Sequence, residues 1–435
     1  MSLFFYCGFH FHFYEECVSI NTKDYIEDGL SEVRMKYNLN SVQIKVLLTC
    51  LVSIGMFMIS IGLLEVVLRT THMFGAAISY TEPDPILGNR YIGGMEFWYH
   101  KENTHPITGK LNKYGYRDKD WQLEKPQNTY RIAVIGDSYV EAFQVEFEKT
   151  FLSLTEHNLN QGFDKGYKVE LMNFGHSGYT QSHELILLKN AVQKFSPDLV
   201  LLFFLPGNDI NDISKETAAN LIGPFYTVSD SDELLLDTSF NETSGYKIRS
   251  YINWFKQRSA LLSFMTNRYN VYMRDRRSKE INLLNNNKKD EVITGYLSLC
   301  TGNPDPLYLK NYNLNKRLIM AMSDYSKERG MKFVLVSLNM RYYIPELEKE
   351  LTIVDPTFNV NFFEDDLRDF ARSHDMDYLG LQRIFRESYQ KIGSALHWAH
   401  WNYQGHKVVA DALTDKLTGI IQSGKQKVRQ ELVTE

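Results

Sequence analysis

From Tyr130 onward, short apolar runs alternate with stretches of helical spacing. Residues 130–135 are the first run, and polar and apolar positions follow at helix-like intervals over 139–159. Residues 168–173 are the second, with helical spacing over 181–195 behind it. Residues 198–204 are nearly all apolar, as expected of a strand buried on both faces. Residues 332–338 form a fourth run, preceded by a helical stretch over 314–329 that stops at Gly330. Residues 377–381 are a weaker fifth, and a last helix starts near Gly405, carrying Val408, Val409, Ala412 and Leu413. Strands alternating with helices predict a parallel sheet covered on both faces, within a domain over residues 130–420. A C-terminal tail, 421–435, follows it.

Residues 210–308 break this rhythm. They hold a predicted hairpin (225–228 with 234–236), an amphipathic stretch over 259–272 and a polar run over 285–290. A long insertion after a strand end suits a cap over the active edge of the sheet, and packing elsewhere on the surface fits nearly as well. Asn241-Glu242-Thr243 matches a glycosylation acceptor, a tripeptide frequent by chance.

The front of the chain follows another pattern. Residues 46–64 carry no charge and are mostly apolar, about 28 Å of helix at about 1.5 Å per residue. With Glu65 and Arg69 closing it, the segment 46–68 predicts an uncleaved transmembrane signal anchor rather than a core helix or a removed leader. Arg34, Lys36 and Lys45 precede it and Arg69 alone follows closely. The positive-inside rule then leaves residues 1–45 in the cytoplasm and the body outside, periplasmic or extracellular. Residues 4–14 are aromatic-rich and unpatterned, so Met35 is an alternative start to Met1. Residues 69–129 read as a lead-in without strong periodicity, broken by Pro83, Pro85 and Pro106.

Composition narrows the function classes. The 435 residues carry a formal net charge of −5, which gives no basic footprint for nucleic acid. Of four cysteines, only Cys300 lies in the body, so neither a disulfide framework nor a thiolate metal site is available there.

The chemistry gathers at strand ends. The first strand stops at Gly136-Asp137-Ser138, the second runs on to Gly178, and the third stops before Asn208. In open α/β sheets the C-terminal edge is where ligands bind. Near the C-terminus stands Leu396-His397-Trp398-Ala399-His400-Trp401-Asn402, with His406 beyond it. Acyl transfer needs a nucleophile, a base and donors aimed at an oxyanion. Ser138, a late histidine, the Gly178 N–H and the Asn208 amide supply those parts.

In this arrangement residues 111–413, apart from the insertion, resemble the SGNH hydrolases, the GDSL lipase/esterase superfamily. Gly136-Asp137-Ser138 resembles the first family block, with Tyr139 where leucine is common. Gly178 matches the second block's glycine. Gly207-Asn208-Asp209 stands for the third without its intervening residue, and His400-Trp401-Asn402 resembles the fifth. The resemblance implies a three-layer α/β/α sandwich with a five-stranded parallel sheet of flavodoxin-like order, beside the N-terminal transmembrane helix. It further implies Ser138 as nucleophile, His400 as general base, and an oxyanion hole from Ser138, Gly178 and Asn208. It calls for no metal and no organic cofactor. The elbow Gly-x-Ser-x-Gly fails at Tyr179, which argues against the α/β-hydrolase fold.

One position departs from the family. An aspartate usually stands two or three residues before the histidine, where this chain has His397 and Trp398. A Ser138–His400 dyad, a carboxylate from elsewhere and a weak or silent enzyme all remain open, and His406 reads as structural. The expected function is an extracytoplasmic serine esterase removing acyl groups, O-acetyl among them, from a glycan or lipid. The alternatives are an O-acyltransferase acting on an envelope polysaccharide and a silent glycan-binding module.

Overall fold

The computed structural model describes residues 40–72, 79–103, 105–163, 166–285 and 293–434. Expectations about the leader before Met35 and about Arg34 and Lys36 lie outside the described residues. Two compact units divide the chain, Met1–Val67 and Leu68–Glu435. The helix α1, Ser41–Thr71, crosses the division. Its stretch Val42–Thr71 is long and apolar enough to cross a membrane, and large side chains such as Phe57 and Ile59 are exposed along it.

In the second unit the lead-in forms two antiparallel hairpins, β1 (Thr81–Asp84) with β2 (Gly88–Tyr91) and β3 (Glu96–Tyr99) with β4 (Ile107–Lys110). The chain continues through β5 (Thr129–Ile135), α2 (Ser138–Glu141), α3 (Phe151–Gly162), β6 (Lys168–Asn173), α4 (Gln181–Asn190), β7 (Leu199–Phe204) and α5 (Pro206–Asn211). The insertion holds β8 (Phe225–Val228), β9 (Leu234–Asp237), α6 (Ser244–Lys256) and α7 (Ala260–Asn285). Then come α8 (Pro306–Glu328), β10 (Lys332–Ser337), α9 (Pro345–Val354), α10 (Phe362–Ser373), β11 (Asp377–Gly380), α11 (Gln382–Ile392) and α12 (Tyr403–Thr434).

The central sheet runs β11-β10-β7-β5-β6, all parallel. Counted by their order in the sheet's chain, its strands stand 2-1-3-4-5, the flavodoxin-like order. Successive side chains on a strand point to opposite faces, and the two cores follow that rule. Ala133, Ile135, Val200, Leu202 and Leu335 pack with Leu185 of α4 and Ile319 of α8. Ile132, Val134, Leu201, Phe203 and Val336 pack with Phe151 of α3, Phe385 of α11 and Leu413 of α12. The predicted three-layer α/β/α architecture is thus present.

Helix boundaries differ from the sequence pattern for local reasons. The helical stretch over 139–159 breaks after four residues, because Ala142 takes a left-handed backbone (φ 58°) and its N–H caps the Ser138 carbonyl. A new helix, α3, starts at Phe151, where the Thr150 side chain accepts from the Ser153 N–H. Likewise the stretch over 181–195 leaves α-helical geometry at Ala191 and finishes as a 3₁₀ turn, Val192–Phe195.

The lead-in is more ordered than its sequence suggests. Tyr91, Phe97, Ile107 and Leu111 form a third small core with Phe143, just past the α2 turn. Arg117 is buried in this region and donates to the Glu141 and Val145 carbonyls. Tyr91, Phe97, Ile107, Leu111 and Arg117 thus pack the lead-in against the segment just past the Ser138 turn.

Candidate functional site

Ser138 is the first residue of α2, directly beyond β5. That is the point where the sheet order reverses between β5 and β7, the crevice in which such sheets bind ligands. The turn is tight. A Cβ on Gly136 would lie 2.5 Å from Val140 Cγ2 and 3.1 Å from Phe203 Cβ, so only glycine lets the strand turn so sharply there. The buried Asp137 side chain accepts from the Tyr139 N–H at 2.9 Å and caps the short helix.

His400 arrives from the other end of the chain. It sits in a loop closed by the His397–Trp401 bridge and by the Asn402 N–H on the Leu396 carbonyl (3.0 Å). Trp401 is fully buried and donates its indole N–H to Asn339 Oδ1 at 3.0 Å, which anchors the loop to the core. Ser138 Oγ and His400 Nε2 are 2.8 Å apart. The two residues read from sequence as a pair meet.

The partner of the other ring nitrogen is Glu102, in the loop between β3 and β4. His400 Nδ1 lies 2.7 Å from Glu102 Oε1, and the His400 backbone N–H donates to Glu102 Oε2 at 2.7 Å. Tyr99 OH donates to Glu102 Oε1 at 2.5 Å. Asn103 pins the loop, its amide donating to Tyr403 OH at 2.7 Å and to the Gln144 carbonyl at 3.2 Å. Ser138, His400 and Glu102 form a continuous hydrogen-bonded row. A carboxylate from elsewhere in the chain, one of the three possibilities the sequence left open, thus lies against the His400 ring.

Burial works against ionisation of Glu102, yet the hydrogen bonds from His400 and Tyr99 outweigh it and hold the carboxyl at about 2. For His400, burial lowers the proton affinity and the Glu102 carboxylate more than restores it, so the ring titrates above its ordinary range. With Nδ1–H on Glu102, the neutral ring presents the Nε2 lone pair to the serine hydroxyl.

His397, three residues before His400, cannot stand in for the acid. It is buried in the core, with Nδ1 3.1 Å from Tyr343 OH and Nε2 3.3 Å from Asn339 Nδ2. His406 is fully buried too. Its Nδ1 accepts from the Phe151 N–H at 3.2 Å, and Nε2 lies 3.1 Å from Gln144 Nε2.

The remaining two predicted residues stand on neighbouring strand ends. Asn208 lies in α5, and its side-chain amide donates to Asp137 Oδ2 at 3.1 Å. Gly178 has φ +79°, and a Cβ there would meet nothing within 4 Å, so its turn faces open space. The turn is held from below, because Glu141 accepts from both the Ser177 hydroxyl and the Ser177 N–H (3.4 Å). Glu141 is buried, which raises its pKa to about 7.

Sequence pattern could not supply Glu102. It lies in an irregular loop with no periodicity, one acid among 53 Asp and Glu residues. The usable signal was the missing acid before His400, which left a carboxylate from another part of the chain as one of three possibilities.

No protein-family model matches the chain, and no curated protein matches it. Solved structures that it is similar to include TesA, at 11% identity and TM-score 0.32, covering 66% of this chain and 98% of TesA. Another is Axe2, an acetylxylan esterase from Geobacillus stearothermophilus, at 12% identity and TM-score 0.34, covering 66% of this chain and 93% of that one. A third is a GDSL-like lipase from Bacteroides thetaiotaomicron, at 11% identity and TM-score 0.31, covering 67% and 88%. By its own sheet order, and by the strand ends that carry Ser138, Gly178 and Asn208, the chain has the three-layer fold that its resemblance to the SGNH hydrolases implies.

Proposed function

We propose that the protein is a serine esterase that removes acyl groups from an ester-bearing glycan or lipid through an acyl-enzyme on Ser138. The single observation carrying this is the hydrogen-bonded row Ser138–His400–Glu102 at 2.8 and 2.7 Å. A nucleophile, a base within reach of it and a carboxylate orienting the base are what nucleophilic acyl transfer requires.

In the proposed reaction His400 Nε2 takes the Ser138 proton as Oγ bonds to the ester carbonyl carbon. Glu102 stabilises the imidazolium so formed and keeps the ring from turning. The Ser138 N–H is the first of α2 and has no partner within the helix, so it is free to serve the oxyanion together with the Gly178 N–H. The Asn208 amide carries two hydrogens, one on Asp137 and one left for the same oxyanion. Each such donor is worth roughly 3–4 kcal/mol in the transition state. His400 then gives its proton to the departing alkoxide oxygen as the carbon–oxygen bond breaks. Water, deprotonated by the same ring, releases the acid and restores Ser138.

The proposed location is a single-pass membrane protein with its body outside the cytoplasm. The apolar span and the excess of Arg34, Lys36 and Lys45 over Arg69 at its flanks support this. The test is labelling of the full chain with a fluorophosphonate, with hydrolysis of p-nitrophenyl acetate measured beside it. Wild type labels and hydrolyses; Ser138→Ala does neither. A chain that neither labels nor hydrolyses any p-nitrophenyl ester from acetate to laurate sinks the proposal in favour of a binding module. Transfer to an added glycan acceptor that outruns hydrolysis moves it to an acyltransferase.

A further inference from the structure

The insertion predicted as a cap contains a surface that the esterase chemistry does not use. On α6, Ile248, Tyr251, Trp254 and Phe255 recur at helical spacing along one stripe, with Tyr251 85% and Trp254 55% exposed. On α7, Met265, Tyr269 and Tyr272 form a second stripe, also exposed. A soluble surface rarely leaves so many large apolar side chains together without a partner.

Charge narrows the partner. Residues 244–285 hold nine Lys and Arg against two Asp and Glu, a surplus of seven positive charges in a chain whose net is −5. The remainder therefore carries −12. Of these basic residues, Lys247, Arg258, Arg268, Arg274, Arg276 and Lys279 are exposed. The Arg258 guanidinium stacks over the Trp254 ring at 4.0 Å, pairing a cation with an aromatic at the turn between the two helices.

Position narrows it further. Arg69 stands one residue beyond the apolar segment 46–68, and it belongs to the same compact unit as the insertion. Its guanidinium donates to the Arg258 carbonyl at 2.5 Å. Asn241, just before α6, donates its amide to the Pro85 carbonyl of the lead-in at 3.0 Å. Ser79 is eleven residues past Leu68, a tether of at most about 40 Å. Aromatic side chains mixed with Arg and Lys are the composition that settles at the headgroup boundary of a bilayer.

We propose that the α6–α7 hairpin docks on an anionic lipid surface, laying Tyr251, Trp254 and Tyr269 among the headgroups and the upper acyl chains of the membrane that holds the anchor. The body would thereby be held against the bilayer by two contacts, one spanning and one lying in the surface.

The test uses the full chain in nanodiscs of equal parts phosphatidylcholine and phosphatidylglycerol, with and without bromine on the acyl chains. Tryptophan emission is compared between wild type and Trp254→Phe. The expected result is bromine quenching of wild-type emission that is largely lost in Trp254→Phe, and that returns when Tyr251→Trp is added to that variant. Acrylamide reaches Trp254 less in discs than in detergent. Discs of phosphatidylcholine alone give weaker quenching, as the surplus of positive charge requires. Equal bromine quenching in wild type and Trp254→Phe, with acrylamide access unchanged by the bilayer, overturns the proposal. Cross-linking of two copies through this face without bromine quenching overturns it as well, in favour of a dimer interface.

Discussion

Ser138 and Glu102 end up on either side of one imidazole, yet they come from regions built in opposite ways. Ser138 stands where a buried strand must turn into a helix, and Gly136, Asp137 and the sheet order fix its place. Glu102 stands in an irregular loop between two short antiparallel strands, and it is fixed from outside by Tyr99, the His400 backbone and its neighbour Asn103. A fold can therefore determine a nucleophile through its backbone grammar while leaving the third member of the row to tertiary placement. The acid is free to migrate along the chain so long as it reaches the same ring nitrogen.

This contrast can be broken or sharpened by substitution. Ser138→Ala should abolish esterase turnover, a loss on the order of 10⁶ if the row acts as a unit, read as kcat on p-nitrophenyl acetate. Glu102→Gln should cost about 10³–10⁴, because the amide can no longer hold the charged ring. It should also shift the pH profile. In wild type His400 titrates above its ordinary range, so kcat/KM should fall as pH drops through that raised value and the base becomes protonated. In Glu102→Gln the inflection should move to lower pH. An unshifted inflection would place the acid elsewhere. Asn208→Ala should reduce kcat about 10²–10³-fold with KM little changed, as expected of a donor used in the transition state. Smallest of all, Tyr99→Phe should cost about tenfold, the worth of one hydrogen bond to a charged group. A Tyr99→Phe effect as large as that of Glu102→Gln would show that the loop itself, and not its carboxylate, is what matters.

The middle of the sheet was legible because β5, β7 and β10 are buried on both faces and read as nearly continuous apolar runs, whereas the edge strand β11, with none of its residues buried, left only the weak signal over 377–381. The turns after them were legible for the same reason, and Ser138 and His400 do meet. Helix boundaries were less so. The break at Ala142 depends on a left-handed backbone that no periodicity records. The lead-in was least legible, since its order comes from Tyr91, Phe97 and Leu111 packing on Phe143, a contact between segments that neither alone predicts. Glu102 inherits that obscurity.

The row that joins Glu102 to His400 spans 298 positions of sequence. During synthesis Glu102 and Ser138 emerge long before His400. A chain stalled short of Leu396 holds Ser138 and Glu102 without the imidazole between them, and it lacks Trp401 and Leu413 from the core beneath the serine turn as well. On the proposed chemistry, the row closes only once the segment that carries His400 has packed.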